Sequence, residues 1–98
     1  MISVVLPSQL SALANIESEI QLELGTAVTF NALFDKLEQQ FPALRGTFRD
    51  LASKKRRPMV RFFACGEDFS HHSFESELPA EVLKGNEPLL IVAAIAGG

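Results

Sequence analysis

The chain has no tryptophan, no tyrosine and one cysteine, Cys65, in 98 residues. A single thiol cannot close an intramolecular disulfide and cannot alone hold a zinc ion or an iron–sulphur cluster, so both frameworks are excluded. Long apolar runs are also lacking. The longest falls well short of the ~20 residues that span a bilayer, and the start, "MISVVLPSQL", has neither the basic stretch nor the sustained apolar core of a secretory signal. A cytoplasmic protein without membrane contact is therefore expected. Positive charge is in deficit: nine Lys and Arg against twelve Asp and Glu give a formal net charge of −3, the wrong sign for general attraction to nucleic acid or anionic membrane. Internal repeats and low-complexity stretches are absent, and the length allows one modest core and hence one domain, 1–98.

Hydrophobic residues make up 47% of the chain, including eight Phe, which is ample for a globular core. Ile2 to Leu6 is a β-rich run ended by Pro7, and "PSQLSALAN" reads as a loop. In "IESEIQLEL", Ile16, Ser18, Ile20, Leu22 and Leu24 share one parity and Glu17, Glu19, Gln21 and Glu23 the other, the period of a strand with one wet face. It pairs naturally with the first strand, and Gly25 and Thr26 end it. The period then becomes 3.6 in "VTFNALFDKLEQQF", where Phe30, Leu33, Phe34, Leu37 and Phe41 fall on one side of a helix. Thr29 is placed to cap its start, Val28 and Leu33 stand in staple positions, and Pro42 discourages its continuation.

"ALRGTFRDLASKKRRP" reads as a short second helix on the spacing of Leu44, Phe48 and Leu51, weakened at Gly46. "PMVRFFACG" reads as a third strand turning at "CGED", and "DFSHHSFESELPAEVL" as a weak strand or irregular segment anchored by Phe69, Phe74, Leu78 and Val82. "KGNE" is a turn, and "PLLIVAAIA" is an uninterrupted apolar strand, buried on both faces or central in a sheet. A central last strand needs a partner, and the short apolar first strand supplies it. The α+β order β-β-α-β-(β)-β, with one main helix across one face of a mixed four- to five-stranded sheet, is that of the β-grasp or ubiquitin-like fold.

The side chains show no organised catalytic set: nothing in the spacing of Ser, His and Asp suggests a triad or an activated nucleophile. His71 and His72 are adjacent and point oppositely in extended chain, so no metal site is expected. Cys65 reads as a half-buried small residue. The basic run Lys54 to Arg57 is either a solvated loop, a nucleic-acid-like patch or a docking point for an acidic partner. Arg61 and Phe63 have strand parity opposite to Val60 and Phe62, so one pair faces away from the helix. If that pair is Arg61 and Phe63, then Phe63 and Val5 form an exposed apolar patch of the kind that binds partners; the other reading is a second small core.

The β-grasp order, the helix "VTFNALFDKLEQQFP", the "GED" after the third strand, the "KGNEPLLIV" lead into the last strand and above all the terminal "AIAGG" resemble the bacterial and archaeal ubiquitin-like sulphur carriers. That family includes the small subunit of molybdopterin synthase, the thiazole-synthesis carrier and carriers for cysteine and siderophore synthesis. The resemblance spans nearly the whole chain. It implies that the Gly98 carboxylate, on a flexible tail of about 96–98 with Gly97 as its stalk, is adenylated by an E1-like adenylyltransferase that uses ATP. A persulphide protein or sulphide then converts it to a thiocarboxylate, which delivers sulphur to a biosynthetic enzyme. The protein would then be a carrier or synthase subunit rather than an enzyme, with no bound cofactor and monomeric when free. Val5, Arg61, Phe63, Ala94 and Ala96 are the expected partner contacts, the two alanines giving a slim tail. Two alternatives share these residues: a ubiquitin-like modifier joined through Gly98 to lysine, and a β-grasp interaction module whose tail is incidental.

Overall fold

The computed structural model describes residues 1–26 and 28–93. Strand β1 (Ile2–Val5) alternates buried and half-buried residues and pairs antiparallel with β2 (Glu19–Leu22), Ile2 opposite Leu22 and Val5 opposite Glu19. The expected loop between them contains a helix, α1 (Ser8–Ala14). Pro7 occupies its N-cap, where the missing N–H removes nothing from the helix, and Asn15 closes it with a left-handed φ of 56°, its N–H donating to the Ala12 and Ser11 carbonyls. Leu10 is this helix's contribution to the core.

The long helix α2 (Phe30–Gln40) begins as its sequence dictates: the Thr29 hydroxyl accepts from the Ala32 N–H at 3.1 Å. Phe30, Leu33, Phe34 and Leu37 are buried. Phe34 is the hub of an aromatic cluster, its ring centroid 4.9 Å from those of Phe62 and Phe74 and 5.1 Å from that of Phe48.

Beyond Pro42 the expected second helix does not form. A 3₁₀ turn, Pro42–Leu44, buries Leu44 and is followed by an irregular loop that buries Phe48 and leaves Leu51 half exposed. The loop is held by a charge inside the protein. Arg49 is 1% exposed and lies over the Phe34 ring; its Nε and Nη2 donate to both oxygens of Glu38 at 3.0 and 3.1 Å, its Nη1 to Asn31 at 2.8 Å, and its Nη2 also to Asp35. Asn31, Asp35 and Glu38 stand on successive turns of α2, so one stripe of that helix receives the guanidinium. Burial alone would lower the Arg49 pKa, but the hydrogen bonds and charges of Glu38 and Asp35 outweigh it and hold it above its ordinary value.

Strand β3 (Val60–Ala64) turns at Cys65 and Gly66, both with left-handed φ, into the two-residue β4 (Glu67–Asp68). Cys65 is exposed at this turn, not half-buried as its sequence context suggested. A short helix, α3 (Ala80–Leu83), buries Val82, and β5 (Leu89–Ala93) completes the sheet. The order is β2-β1-β5-β3-β4, with β1 and β5 parallel and the other pairs antiparallel. The apolar last strand is thus central and neighbours the first. It is not buried on both faces: Leu89 and Ile91 face the core, whereas Leu90 and Val92 are 37% and 47% exposed. The expected tail residues, 96–98, lie outside the described residues.

Candidate functional site

Two features converge on β5: its outward face, and the chain that continues from Ala93. Val60, Phe62 and Ala64 are buried against α2 and its neighbours, which fixes Arg61 and Phe63 on the opposite, open face. Pairing registers then set the composition of that face. Leu90 stands directly between Val5 of β1 and Phe63 of β3, and Val92 stands opposite Arg61. Glu19 flanks Val5 on one sheet edge and Asp68 flanks Phe63 on the other. The result is an apolar row of three side chains closed at each end by a carboxylate, the centre-and-rim pattern of protein interfaces.

Val5, Arg61 and Phe63, singled out from the sequence, are therefore brought together on one surface. Leu90 and Val92 were not expected there, because an unbroken apolar run hides its own alternation; the signal lay in the neighbouring strand, whose parity transfers to β5 once the two are paired. Met59 joins them, lining with Pro58, Arg61 and Val92 a shallow depression of about 220 Å³. Arg61 reaches Asp68 at 3.4 Å, but both are open to water and the pair adds little to stability.

Ala93, the last described residue, pairs with Val60 at the start of β3, next in the chain to Pro58 and Met59 at the border of this face. Ala94, Ala96, Gly97 and Gly98 lie outside the described residues.

Among the described residues no group of His, Cys, Asp and Glu is arranged to hold a metal ion. Local desolvation, then the charges of Glu87, Glu81 and Glu67, push the Cys65 thiol above its ordinary pKa, the reverse of what an activated nucleophile needs. No described helix is long and apolar enough to cross a membrane.

A mixed five-stranded sheet in this order, with its main helix across one face, is the β-grasp or ubiquitin-like fold. It matches a chain of the Amycolatopsis orientalis BexX/CysO complex with a TM-score of 0.76 over 100% of both chains, at 18% identity. It also matches CysO of Mycobacterium tuberculosis (TM-score 0.75, 97% of this chain and 100% of that one, 15% identity). A third match is the Haloferax volcanii protein SAMP1, with a TM-score of 0.73 over 98% and 97% of the two chains at 16% identity. No family model matches the sequence, and no curated protein matches it. At these identities the likeness is one of fold.

Proposed function

We propose that this protein is a sulphur carrier whose reacting group is the Gly98 carboxylate. The observation that carries the reading is a β-grasp domain whose central strand ends beside an open apolar face and continues directly into "AIAGG". A carboxylate on two glycines has no Cβ to obstruct a narrow channel, so it can be inserted into a partner's active site while the rigid sheet docks outside. Val5, Phe63, Leu90 and Val92 make the apolar centre of that docking surface and Arg61 its polar edge. Ala94 and Ala96 keep the connecting segment slim.

The chemistry is supplied by partners. An E1-like adenylyltransferase lets the Gly98 carboxylate oxygen attack the α-phosphorus of ATP, expelling pyrophosphate. Sulphide displaces AMP from the acyl adenylate to leave a thiocarboxylate. A protein persulphide does so through an acyl disulphide, which a second thiol cleaves to thiocarboxylate and a protein disulphide. The thiocarboxylate sulphur is transferred to the substrate of a biosynthetic enzyme, and water cleaves the acyl–sulphur bond, supplying the oxygen that restores the carrier's carboxylate. The carrier acts in the cytoplasm, is a monomer when free, binds no cofactor and need not bind nucleic acid or membrane. That a chain of this fold comes from a BexX/CysO complex supports a role in docking to a partner protein.

A second reading is favoured by one match: a structure of this fold is that of the small archaeal modifier protein 1 of Haloferax volcanii. In that reading the activated Gly98 ends as an amide on a lysine. Intact-mass measurement of protein isolated from its native host separates the two, since a carrier shows sulphur in place of one oxygen and a modifier shows heavier lysine conjugates. Deleting Gly98 should abolish either product and leave the fold intact. Finding neither product with an activating enzyme and ATP present would leave only an interaction module.

A further inference from the structure

The carboxyl-terminal chemistry gives no role to the basic run Lys54 to Arg57. Eight of the nine Lys and Arg residues fall between Lys36 and Arg61, with only Glu38 and Asp50 as carboxylates among them. A net-acidic chain therefore carries a concentrated positive segment, and the fold gathers part of it into a concavity.

The loop that does this is closely tied. The Asp50 N–H donates to the Lys55 carbonyl at 2.7 Å and the Lys54 N–H to the Asp50 carbonyl at 2.9 Å, while the Asp50 carboxylate accepts from the N–H groups of Ala52 and Ser53. Lys54 is held at a φ of 63°, a left-handed conformation unfavourable for a residue with a Cβ. Arg56 is fixed without being neutralised: its Nε donates to the Ser70 carbonyl at 3.0 Å and its Nη1 to the Val60 carbonyl at 2.8 Å. Its Nη2 makes no hydrogen bond to the described residues.

Lys54, Lys55 and Arg56, with Ser70, His72 and Phe74, line an open cavity of about 230 Å³ that has no carboxylate in its wall. The one acid within ion-pair distance of Lys54, Asp35 at 3.9 Å, is already engaged by Arg49, and Lys55 has no ion-pair partner among the described residues. Ser70 is committed to the fold, its hydroxyl accepting the Phe62 N–H at 2.9 Å. Three consecutive cations in a concavity without an acid repel one another, and a compact, multiply charged oxyanion relieves that repulsion. The cavity is smaller than the roughly 300–1,000 Å³ of pockets that enclose drug-sized ligands, which suits a single oxyanion group.

We propose that this cavity is a phosphate site, with the Lys54 and Lys55 ammonium groups and the free Arg56 Nη2 as donors, and with His72 and Phe74 completing its wall. The phosphate can be free or carried on a phosphorylated side chain. Titration of the full chain, followed by amide NMR at constant ionic strength, tests the site with inorganic phosphate and with O-phospho-L-serine, against chloride as control. The expected result is saturable shifts at Lys54, Lys55, Arg56 and His72 with either phosphate probe and not with chloride. Binding should weaken at least tenfold in a Lys54→Gln/Lys55→Gln variant and persist in Lys54→Arg/Lys55→Arg. Tighter binding of O-phosphoserine assigns the site to a phosphorylated side chain, and equal binding assigns it to free phosphate. Equal shifts with chloride, or unchanged affinity in a folded Lys54→Gln/Lys55→Gln variant, overturn the proposal.

Discussion

Replacing Arg49 by alanine tests the most consequential feature of the interior, the charge that joins the 45–59 loop to α2. The side chains of Arg49 and Glu38 are 1% and 7% exposed, so removing the guanidinium leaves the Glu38 carboxylate buried without its cation. Breaking such a pair from one side destabilises by about 3–5 kcal/mol. The contact to Asp35 adds little, because that carboxylate is 64% exposed and screened by water. Against the roughly 5–15 kcal/mol that holds a domain together, the loss is about a fifth of the stability or more. It corresponds to a fall in Tm of roughly 15–30 °C for a chain of this size.

Urea unfolding followed by circular dichroism measures this change, with Asp35→Asn as an internal control expected to lose less than about 1 kcal/mol. A double variant, Arg49→Met/Glu38→Leu, removes both charges and should recover most of the loss, since a buried pair replaced by apolar groups is often neutral. The reasoning is refuted if Arg49→Ala loses under about 1 kcal/mol, or if the double variant is as unstable as the single one.

Three further expectations follow from other parts of the molecule. Leu90→Arg places a charge in the middle of the Val5–Leu90–Phe63 row; the Tm should change little, while the proposed adenylation of Gly98 by an activating enzyme should fall roughly tenfold or more, and undiminished adenylation would remove this face from the proposed docking surface. Gly85→Ala adds a Cβ 2.6 Å from the Met1 carbonyl oxygen at a φ of 81°, whereas Gly25→Ala, at 65°, meets nothing within 4 Å. The first should therefore lose about 1–3 kcal/mol more than the second in parallel thermal melts, and equal losses would contradict the clash. Finally, hydrogen bonds from Ser53 hold the Asp50 carboxyl below its usual range, and those from Ser70 do the same for Asp68. Their stabilising contribution is present above the unfolded aspartate pKa and is lost as pH falls through the lower folded values; carboxyl NMR titrations that put either group at or above the usual range would refute this.

Much of the architecture was legible without coordinates. Alternation exposed β2, the 3.6-residue period and the Thr29 cap exposed α2, and the apolar strength of the last strand put it at the centre beside the first. Those signals are local, and local geometry suffices to produce them. The loop readings failed where local signals were ambiguous. "PSQLSALAN" holds turn formers, but Pro7 is also tolerated at a helix start and Asn15 at a left-handed end, so packing of Leu10 decided for α1. In the segment after Pro42 the spacing of Leu44, Phe48 and Leu51 imitated a helix, and the structure buries two of the three by another route.

What the sequence determined by itself is the order of its elements, and its glycine pair after an apolar strand is the expectation on which the proposed carrier role rests. Only the tertiary structure decided which residues share the open face of the sheet. Strand parity divides β3 into two faces without saying which meets the helix, and an apolar run such as β5 has no visible parity at all. Once Phe62 is packed against Phe34, Phe63 is turned outward, and register carries that choice through Leu90 to Val5. The same holds for Arg49, which reads as one more surface cation until the fold places Asn31, Asp35 and Glu38 around it, because a charge is buried by its partners and its partners are assembled only in three dimensions.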